Sequence, residues 1–219
     1  MENQEKVWDD ISHTWKMYRS EEIKEVSEFL KNKTGKILDL GCGSGRNFVK
    51  LQGFYNGEDS CIYGVDFSQN MLDYARAYAN KKGFNVKLKK SSALDLPFAN
   101  NFFDSAICVA VLHCIPDAEK KEMALRELFR VLKSGAEAWI SVWDKNQKKF
   151  KKSGKEITIP WKYAGREYMR YYYLYDKNEF ADLLEKVGFE VLKANNSENP
   201  DGFYSKKNID VVVRKPISS

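Results

Sequence analysis

A glycine-rich turn at residues 39–45 (DLGCGSG) limits the folds open to this chain. It overlaps the end of a short apolar segment at 36–40. Glycine lets a backbone turn tightly and approach a ligand closely, because no Cβ stands in the way. Residues 46–51 follow with a helical pattern, and a helix that begins there offers free N–H groups to a ligand. Together these segments predict a strand, a loop and a helix.

The rest of the chain continues this alternation of short apolar segments with amphipathic ones. Strands are predicted over 36–40, 61–65, 85–89, 105–111, 136–143, 189–193 and 209–214, and helices over 20–31, 46–51, 118–132 and 179–187, with a further helix capped by Ser68. Only the polar stretch 195–208 separates the last two strands, so we expect them to pair in antiparallel fashion. The pattern predicts an α/β fold with a mostly parallel sheet and helices on both faces.

Composition limits the class of protein. The 219 residues, of which 43% are hydrophobic, suffice for one core, and a single domain over 1–219 is the simplest arrangement. No apolar run reaches the roughly 18 to 20 residues of a membrane helix, and the N-terminus lacks a signal-peptide pattern. The four cysteines form no CxxC pair. We therefore expect a cytoplasmic protein with no metal site and no membrane partner.

The net charge of +5 is concentrated in one segment. Residues 145–170 hold nine Lys or Arg against two Glu, a local charge of +7, so the rest of the chain carries −2. The segment falls between the fifth predicted strand and the last predicted helix, at the edge of the sheet where α/β folds bind ligands. It is either a solvated loop or a surface for a polyanion.

A carboxylate follows the second predicted strand at a position that suits a nucleoside. Asp66 lies 25 residues after Gly41, where it can accept both hydroxyls of a ribose. The dinucleotide fingerprint G-x-G-x-x-G needs its third glycine at the position of Arg46, whereas the glycines here are spaced G-x-G-x-G. The loop and Asp66 therefore predict a nucleoside pocket that fits a pyrophosphate poorly.

The glycine spacing resembles motif I of the class I S-adenosylmethionine (SAM) methyltransferases. Four further segments resemble later motifs of that family in the same order: 92–98 (SALDLPF), 103–107 (FDSAI), 111–114 (VLHC) and 127–136 (ELFRVLKSGA). The resemblance implies a Rossmann-like α/β fold whose seven-stranded, mostly parallel sheet has an antiparallel C-terminal strand. It also implies S-adenosyl-L-methionine as the cofactor.

The resemblance assigns residues to the cofactor. It places Asp39 and Gly41 near the methionine end of SAM and Asp66 at the ribose diol. Phe67 is expected against the adenine, and Ala93 is expected to offer its backbone to the adenine edge. The full set of cofactor-binding residues implied is Asp39, Gly41, Gly43, Gly45, Asp66, Phe67, Ser92, Ala93 and Val109.

Segments outside the cofactor half resemble the tRNA wobble-uridine methyltransferases of the Trm9 and ALKBH8 kind. They are residues 7–19, 110–113, 142–143, 159–161 (IPW) and 170–175 (RYYYLY). The Pro-Trp followed by Arg-Tyr-Tyr distinguishes this family from small-molecule methyltransferases, which share the cofactor motifs but not this pair. Members of that family esterify 5-carboxymethyluridine at tRNA position 34, commonly with a small Trm112 zinc partner. The resemblance thus implies two partners, the tRNA anticodon loop and a Trm112-like activator subunit.

Methyl-ester formation asks for positioning rather than for a general base, because the carboxylate is already ionised at neutral pH. By this resemblance Arg19 or Arg170 holds the carboxylate and His113 orients the substrate. The aromatic residues expected to stack a splayed-out base are Trp143, Trp161, Tyr171 and Tyr172. The lysines expected to contact anticodon-loop phosphates are Lys148, Lys149, Lys151 and Lys152.

Within the single domain, we expect residues 1–35 to form a helical lid and residues 144–172 to form a basic and aromatic insertion that binds the substrate. The sequence is also compatible with two other functions. The cofactor motifs alone fit a methyltransferase of quinones or other metabolites equally well. Ser92, where the family usually has Asp, and Cys114, where it has a second His, also allow a non-catalytic RNA- or partner-binding module on the same scaffold.

Overall fold

A computed structural model describes residues 3–51, 54–55, 58–196, 198, 200, 202, 204 and 206–217. The strands are β1 (Lys36–Leu40), β2 (Phe54–Tyr55), β3 (Glu58–Asp59), β4 (Cys61–Asp66), β5 (Val86–Lys90), β6 (Phe103–Val109), β7 (Leu132–Trp143), β8 (Glu156–Tyr163), β9 (Arg166–Tyr173), β10 (Glu190–Asn195) and β11 (Asn208–Arg214). The helices are α1 (Gln4–Tyr18), α2 (Lys24–Leu30), α3 (Gln69–Lys82), α4 (Ala118–Val131) and α5 (Lys177–Val187), with short 3₁₀ turns at Leu112–Cys114 and Lys148–Phe150.

Seven of the strands form one sheet in the order β5-β4-β1-β6-β7-β11-β10. The strands β5, β4, β1, β6 and β7 are parallel, and β11 is antiparallel to both of its neighbours. The predicted fold class is confirmed, including the antiparallel strand near the C-terminus. The order reverses at β1, which pairs with β4 on one side and with β6 on the other, so a crevice opens at the carboxyl ends of these strands.

Apolar side chains cover both faces of the sheet. One core joins β1, β6 and β7 to α4 and α5, and the second joins β1 and β6 to α2 and α3. Neighbouring residues of β1 serve opposite cores, Leu38 the first and Ile37 the second, because side chains alternate along a strand. The helix α1 belongs to neither core and packs instead on the β8–β9 hairpin. None of the described helices is long and apolar enough to cross a membrane.

The helix expected over 46–51 is a wrong prediction. These residues form turns and irregular chain, and the Phe48 N–H donates to the Gly45 carbonyl oxygen at 3.0 Å. Phe48 is only 1% exposed, and its ring lies where a Cβ on Gly45 or Gly64 would stand. The local backbone conformation is therefore set by burial of the Phe48 ring between two glycines and not by the weak helical pattern. Within this part of the chain, the glycine loop therefore has no helix N-terminus behind it.

The segment 144–172 contains a hairpin that was not predicted from the sequence. The strands β8 and β9 pair in antiparallel fashion, and Ala164 and Gly165 turn the chain with positive φ. Ile157, Ile159 and Trp161 recur at every second position and alternate with exposed residues, which is the period of a strand and the sequence signal for this hairpin. The predicted strand at 105–111 also ends earlier, because Ala110 adopts a φ of 61° after β6.

Arg130 joins α4 to the loop that follows β5. Its guanidinium donates to the carbonyl oxygens of Phe98 at 2.7 Å and Leu96 at 2.9 Å, and it pairs with Glu127 at 2.7 Å. Glu127 in turn accepts from the Leu96 N–H at 2.8 Å. The E-x-x-R pattern at 127–130 thus holds the 91–98 loop in place.

Replacing Arg130 by methionine is expected to lower the free energy of unfolding by about 2 kcal/mol, because the variant cannot form the two charge-assisted hydrogen bonds to carbonyl oxygens. Urea denaturation measures the change. Arg126→Met is the matched control, since Arg126 is on the same helix and, among the described residues, pairs with Glu122 alone, on the surface. Equal stability for the two variants would contradict the role given to Arg130.

Candidate cofactor and substrate site

A cavity of about 900 Å³ opens at the carboxyl ends of β1, β4 and β6. The glycine loop, the end of β4 and the 91–94 loop line one part of it, while α1, the 109–116 segment and β9 line the other. Its size is at the upper end of the range of about 300 to 1,000 Å³ usual for small-molecule sites. The cavity therefore lies where the reversal in strand order places a ligand site.

Asp66 stands at the wall of the cavity, and the backbone of the glycine loop positions it. The Gly43 N–H donates to Asp66 Oδ2 and the Ser68 N–H donates to Asp66 Oδ1, both at 2.9 Å. Gly43 has a φ of 52° and open space where a Cβ would stand, so the backbone is exposed to a ligand there. Burial raises the pKa of Asp66 to about 6, although the backbone hydrogen bonds lower it.

Asp39 lies behind the wall rather than on it. Its side chain is fully buried, and both carboxylate oxygens have no hydrogen-bond partner among the described residues. Burial raises the pKa of Asp39 to about 7; nearby Arg46 lowers it and Asp66 raises it further. A buried carboxylate without a donor is unfavourable on its own, so this end of the cavity suits a ligand that brings a cation or hydroxyl groups.

Most of the predicted cofactor residues come together at the cavity. Those that line it are Gly41, Gly43, Asp66, Phe67, Ser92, Ala93 and Val109. Gly45 is not among the lining residues, because it packs on the ring of Phe48 instead. The Ser92 hydroxyl accepts from the Leu94 N–H at 3.2 Å and so stabilises the turn of the 91–94 loop.

His113 lies at the opposite wall as a neutral imidazole. Burial, with a smaller contribution from Arg19, lowers its pKa to about 3. The side chain is 1% exposed, and its Nδ1 accepts from the Trp143 N–H at 3.1 Å, which leaves the proton on Nε2. At neutral pH His113 is thus a hydrogen-bond donor toward a ligand and not a proton carrier.

Trp143 and Tyr172 line the cavity beside His113, but they stack on each other. Their ring centroids are 4.2 Å apart with an angle of 11° between the planes, and Phe150 stacks on Trp143 at 5.5 Å. The Lys149 ammonium lies 4.7 Å from the centroid of Trp143. Trp143 and Tyr172 thus form an aromatic part of the cavity wall, and Phe150 packs on Trp143 from outside the cavity.

The two predicted catalytic arginines differ in position. Arg19 lines the cavity, whereas Arg170 is buried behind it and donates from Nη1 to the Tyr172 hydroxyl at 2.8 Å. The guanidinium carbon of Arg170 lies 4.8 Å from the centroid of Trp161 and 5.0 Å from that of Trp15. Arg170 therefore does not line the cavity itself but holds the hydroxyl of Tyr172, which does.

Five of the predicted substrate residues are not at the cavity. They are Trp161, Tyr171, Lys148, Lys151 and Lys152. The Trp161 indole donates to Thr14 Oγ1 at 2.9 Å and fixes α1 to the hairpin. Tyr171 points away from Tyr172 because side chains alternate along β9, and it packs near Lys121. The expectation that these two rings stack a base does not fit their positions.

Other lining residues were not predicted as site residues. They are Trp8, Trp15, Tyr18, Arg46, Tyr204 and Lys207, among others. Arg46 occupies the place of the missing third glycine, which was a signal that its side chain stands near a ligand. Lys207 closes the polar stretch between the last two strands, and only the long-range fold brings it to the cavity.

The comparisons with known proteins agree with this geometry. The family model described as a methyltransferase domain matches residues 37–135. A methyltransferase-family protein of Encephalitozoon cuniculi is 30% identical over 197 residues, which cover 85% of this chain and 87% of that protein. A tRNA (carboxymethyluridine(34)-5-O)-methyltransferase of Schizosaccharomyces pombe is 26% identical over 215 residues, 85% of this chain and 88% of that protein.

Other matches cover a smaller part of the chain or are similar in fold at low identity. The ubiquinone/menaquinone biosynthesis C-methyltransferase of Vibrio cholerae is 35% identical over 102 residues, 46% of this chain and 38% of that protein. The structure of a SAM-dependent methyltransferase of Methanosarcina mazei matches with a TM-score of 0.70 at 20% identity, covering 90% of this chain and 100% of that one. The 1,6-didemethyltoxoflavin-N1-methyltransferase of Burkholderia thailandensis, which has bound S-adenosylhomocysteine, matches with a TM-score of 0.69 at 16% identity, covering 97% and 87% of the two chains.

The raised pKa values predict a pH-dependent affinity for the cofactor product. Below their pKa values Asp66 and Asp39 are neutral and lose their attraction for hydroxyl donors and an ammonium group. The dissociation constant of S-adenosylhomocysteine is therefore expected to rise roughly tenfold as the pH falls from about 7 to about 5. Calorimetric titration measures it.

Single-residue variants distinguish the contributions of Asp39 and Asp66 to the pH dependence of the dissociation constant. Asp39→Asn is expected to remove the dependence near pH 7, and Asp66→Asn the dependence near pH 6. Asp73→Asn on the exposed face of α3 serves as the control and keeps the full profile. A wild-type affinity that is constant across this pH range would contradict the role of the buried carboxylates.

The residues present fit the cofactor. Asp66 at the wall suits a ribose diol, and the unpartnered carboxylate of Asp39 behind the wall favours a cationic group at that end of the cavity. The open space beside Gly43 admits a ligand against the backbone. By its similarity to the methyltransferase domain model and to the relative from Encephalitozoon cuniculi, the chain is a methyltransferase enzyme. It belongs to the class I SAM-dependent methyltransferase family, and its cofactor is S-adenosyl-L-methionine.

Proposed function

We propose that this methyltransferase esterifies the carboxylate of 5-carboxymethyluridine at the wobble position of tRNA. The observation that carries the proposal is a group of buried N–H donors without an acceptor. Trp8 Nε1, Arg19 Nε and Arg170 Nε have no hydrogen-bond partner among the described residues. All three surround Trp15, whose ring centroid lies 5.3 Å from the guanidinium carbon of Arg19 and 5.0 Å from that of Arg170.

Two positive charges so placed need an anion. No carboxylate of the described residues forms an ion pair with Arg19 or Arg170. Burial lowers the pKa of Arg170, which reflects the cost of holding an unpaired cation there. A substrate carboxylate is an acceptor with two oxygens and matches the fork of Arg19, which lines the cavity.

The residues present suit this reaction. Bound SAM supplies an electrophilic methyl group. Arg19 holds the substrate carboxylate, and neutral His113 donates from Nε2 to orient it; no residue has to remove a proton, since the carboxylate is already ionised. The helix α1 covers the cavity as a lid and limits access of water. It is attached through Ser68 Oγ, which donates to Asp9 at 2.5 Å, and through Trp161.

Recognition of tRNA belongs to the same proposal. The relative from Schizosaccharomyces pombe is named for this activity and matches most of the chain. Lys148, Lys151 and Lys152 are exposed on the segment with the local charge of +7 and would contact anticodon-loop phosphates. A Trm112-like subunit is proposed as an activator, and its presence is a variable of the transfer assay.

A second candidate is methylation of a quinone or another metabolite. Two observations favour it: the cavity volume of about 900 Å³ accommodates a small molecule beside the cofactor, and a quinone-biosynthesis methyltransferase matches over 102 residues. The unpaired arginines argue for an anionic substrate in either case.

The direct test is transfer from radiolabelled SAM to tRNA with and without the 5-carboxymethyl group, each with and without a Trm112-type subunit. The proposal expects label only in carboxymethylated tRNA, in a linkage that mild alkali hydrolyses because it is an ester. Absence of tRNA-dependent transfer in every arm would contradict the proposal. RNase-resistant label in a metabolite extract would favour the second candidate.

Arg19→Met is expected to reduce kcat/KM for carboxymethylated tRNA roughly 30- to 150-fold, because a bidentate charge-assisted contact contributes about 2 to 3 kcal/mol. The dissociation constant of SAM should change less than about twofold, which also shows that the variant is folded. Arg76→Met, an exposed arginine on α3 away from the cavity, is the control. An unchanged kcat/KM for Arg19→Met would remove Arg19 from the site.

A further inference from the structure

The rim of the cavity carries an uneven charge. A side chain that lines the cavity and is also exposed lies at its opening, and the charged residues that meet both criteria are Lys120, Lys149, Lys207 and Glu5. Among the residues that the structure describes, three lysines and one glutamate thus lie at the opening, and Arg19, which is half-buried, also lines the cavity. These cations come from separate segments of the chain, so the fold itself gathers them.

Lys149 and Lys207 both lie at this rim. After burial, repulsion from Lys207, Arg19 and Arg170 lowers the pKa of Lys149. The ammonium of Lys149 lies over aromatic rings, 4.3 Å from the centroid of Phe150 and 4.7 Å from that of Trp143. Cations gathered in this way favour an anion at the rim. In the proposed reaction the substrate carboxylate pairs with Arg19, so the anion at the rim lysines is a different group.

Tyr18 gives the rim an exposed aromatic face. It lines the cavity, yet its side chain is 65% exposed. Its ring is supported from below by Trp161, with centroids 5.5 Å apart, and by Trp15 at 5.7 Å. An aromatic ring fixed in place beside cations is the combination that binds single-stranded nucleic acid, since bases stack on the ring and phosphates pair with the cations.

We infer that the rim binds the nucleotide adjacent to the methylated one in single-stranded RNA. Tyr18 stacks the base of that neighbour, and Lys149 and Lys207 contact the phosphates that flank the methylated nucleotide. This inference rests on the proposed RNA substrate and extends it, because it states what the enzyme reads besides the carboxymethyl group. It also gives a reason for the enzyme to prefer RNA over the free nucleoside, which has no phosphates.

The test uses a single-stranded RNA heptamer with 5-carboxymethyluridine at its centre, with S-adenosylhomocysteine bound to the protein. Fluorescence anisotropy at several salt concentrations gives the slope of log Kd against log salt. The double variant Lys149→Gln/Lys207→Gln is expected to lower this slope by about 1.4, because each phosphate that no longer pairs with a lysine lowers it by about 0.7. The control Lys81→Gln/Lys82→Gln, at the exposed end of α3, should leave the slope unchanged.

The stacking part is tested separately at Tyr18. Tyr18→Ala is expected to weaken heptamer binding roughly 5- to 100-fold, whereas Tyr18→Trp keeps the affinity within about threefold. All variants should bind S-adenosylhomocysteine like the wild type, which shows that they are folded. An unchanged salt slope in the double lysine variant, or an affinity of Tyr18→Ala within about twofold of the wild type, would overturn the inference.

Methyl transfer is measured in parallel samples of the same proteins and heptamer, with radiolabelled SAM in place of S-adenosylhomocysteine and with and without a Trm112-type subunit, and it separates this inference from the proposed function. Wild-type heptamer binding that depends on Tyr18 and the two lysines, without methyl transfer, would support the rim site and contradict the proposed reaction. Methyl transfer to the heptamer by variants whose binding is unchanged would support the reaction and overturn the rim site.

Discussion

The burial of two carboxylates at the carboxyl ends of adjacent parallel strands is the constraint on which the site depends. Pairing of β1 with β4 brings Asp39 and Asp66 together, although they are far apart in the chain. Folding raises both pKa values from 3.8, so the folded protein favours the neutral carboxyl groups. Their contribution to the free energy of unfolding is therefore present below about pH 4 and is lost as the pH rises to between 6 and 7. A ligand that brings hydroxyl and ammonium donors relieves this cost, which links cofactor binding to the fold.

At the opposite end of the cavity the buried charges are positive, and they too lack a partner of opposite charge among the described residues. Arg19 ends α1 and Arg170 lies on β9, and three tryptophans hold them without a carboxylate among the described residues. The contact between α1 and the hairpin therefore places Arg19 at the cavity and Arg170 behind it. In the proposed function the same contact forms both the anion site for the substrate and the cover of the cavity.

The sheet, its antiparallel strand and the cofactor loop were predictable from the sequence, because alternating apolar segments and glycine spacing are local signals. The wrong helix over 46–51 reflects a tertiary contact, the ring of Phe48 between two glycines, that no local pattern reveals. Trp161 and Tyr171 were assigned to base stacking because of their motif. Their positions depend instead on the alternation along the hairpin and on α1, and Tyr18, which does face solvent, carries no local mark of a site.

In the proposed reaction the cavity presents a substrate carboxylate to the cofactor by way of Arg19. A crystal structure with S-adenosylhomocysteine and an anticodon stem-loop that carries 5-carboxymethyluridine would show whether the two groups meet. We predict the carboxylate within hydrogen-bond distance of the Arg19 guanidinium, and the ribose diol of the cofactor on Asp66. A bound uridine whose carboxylate faces solvent, with Arg19 still unpaired, would contradict the claim.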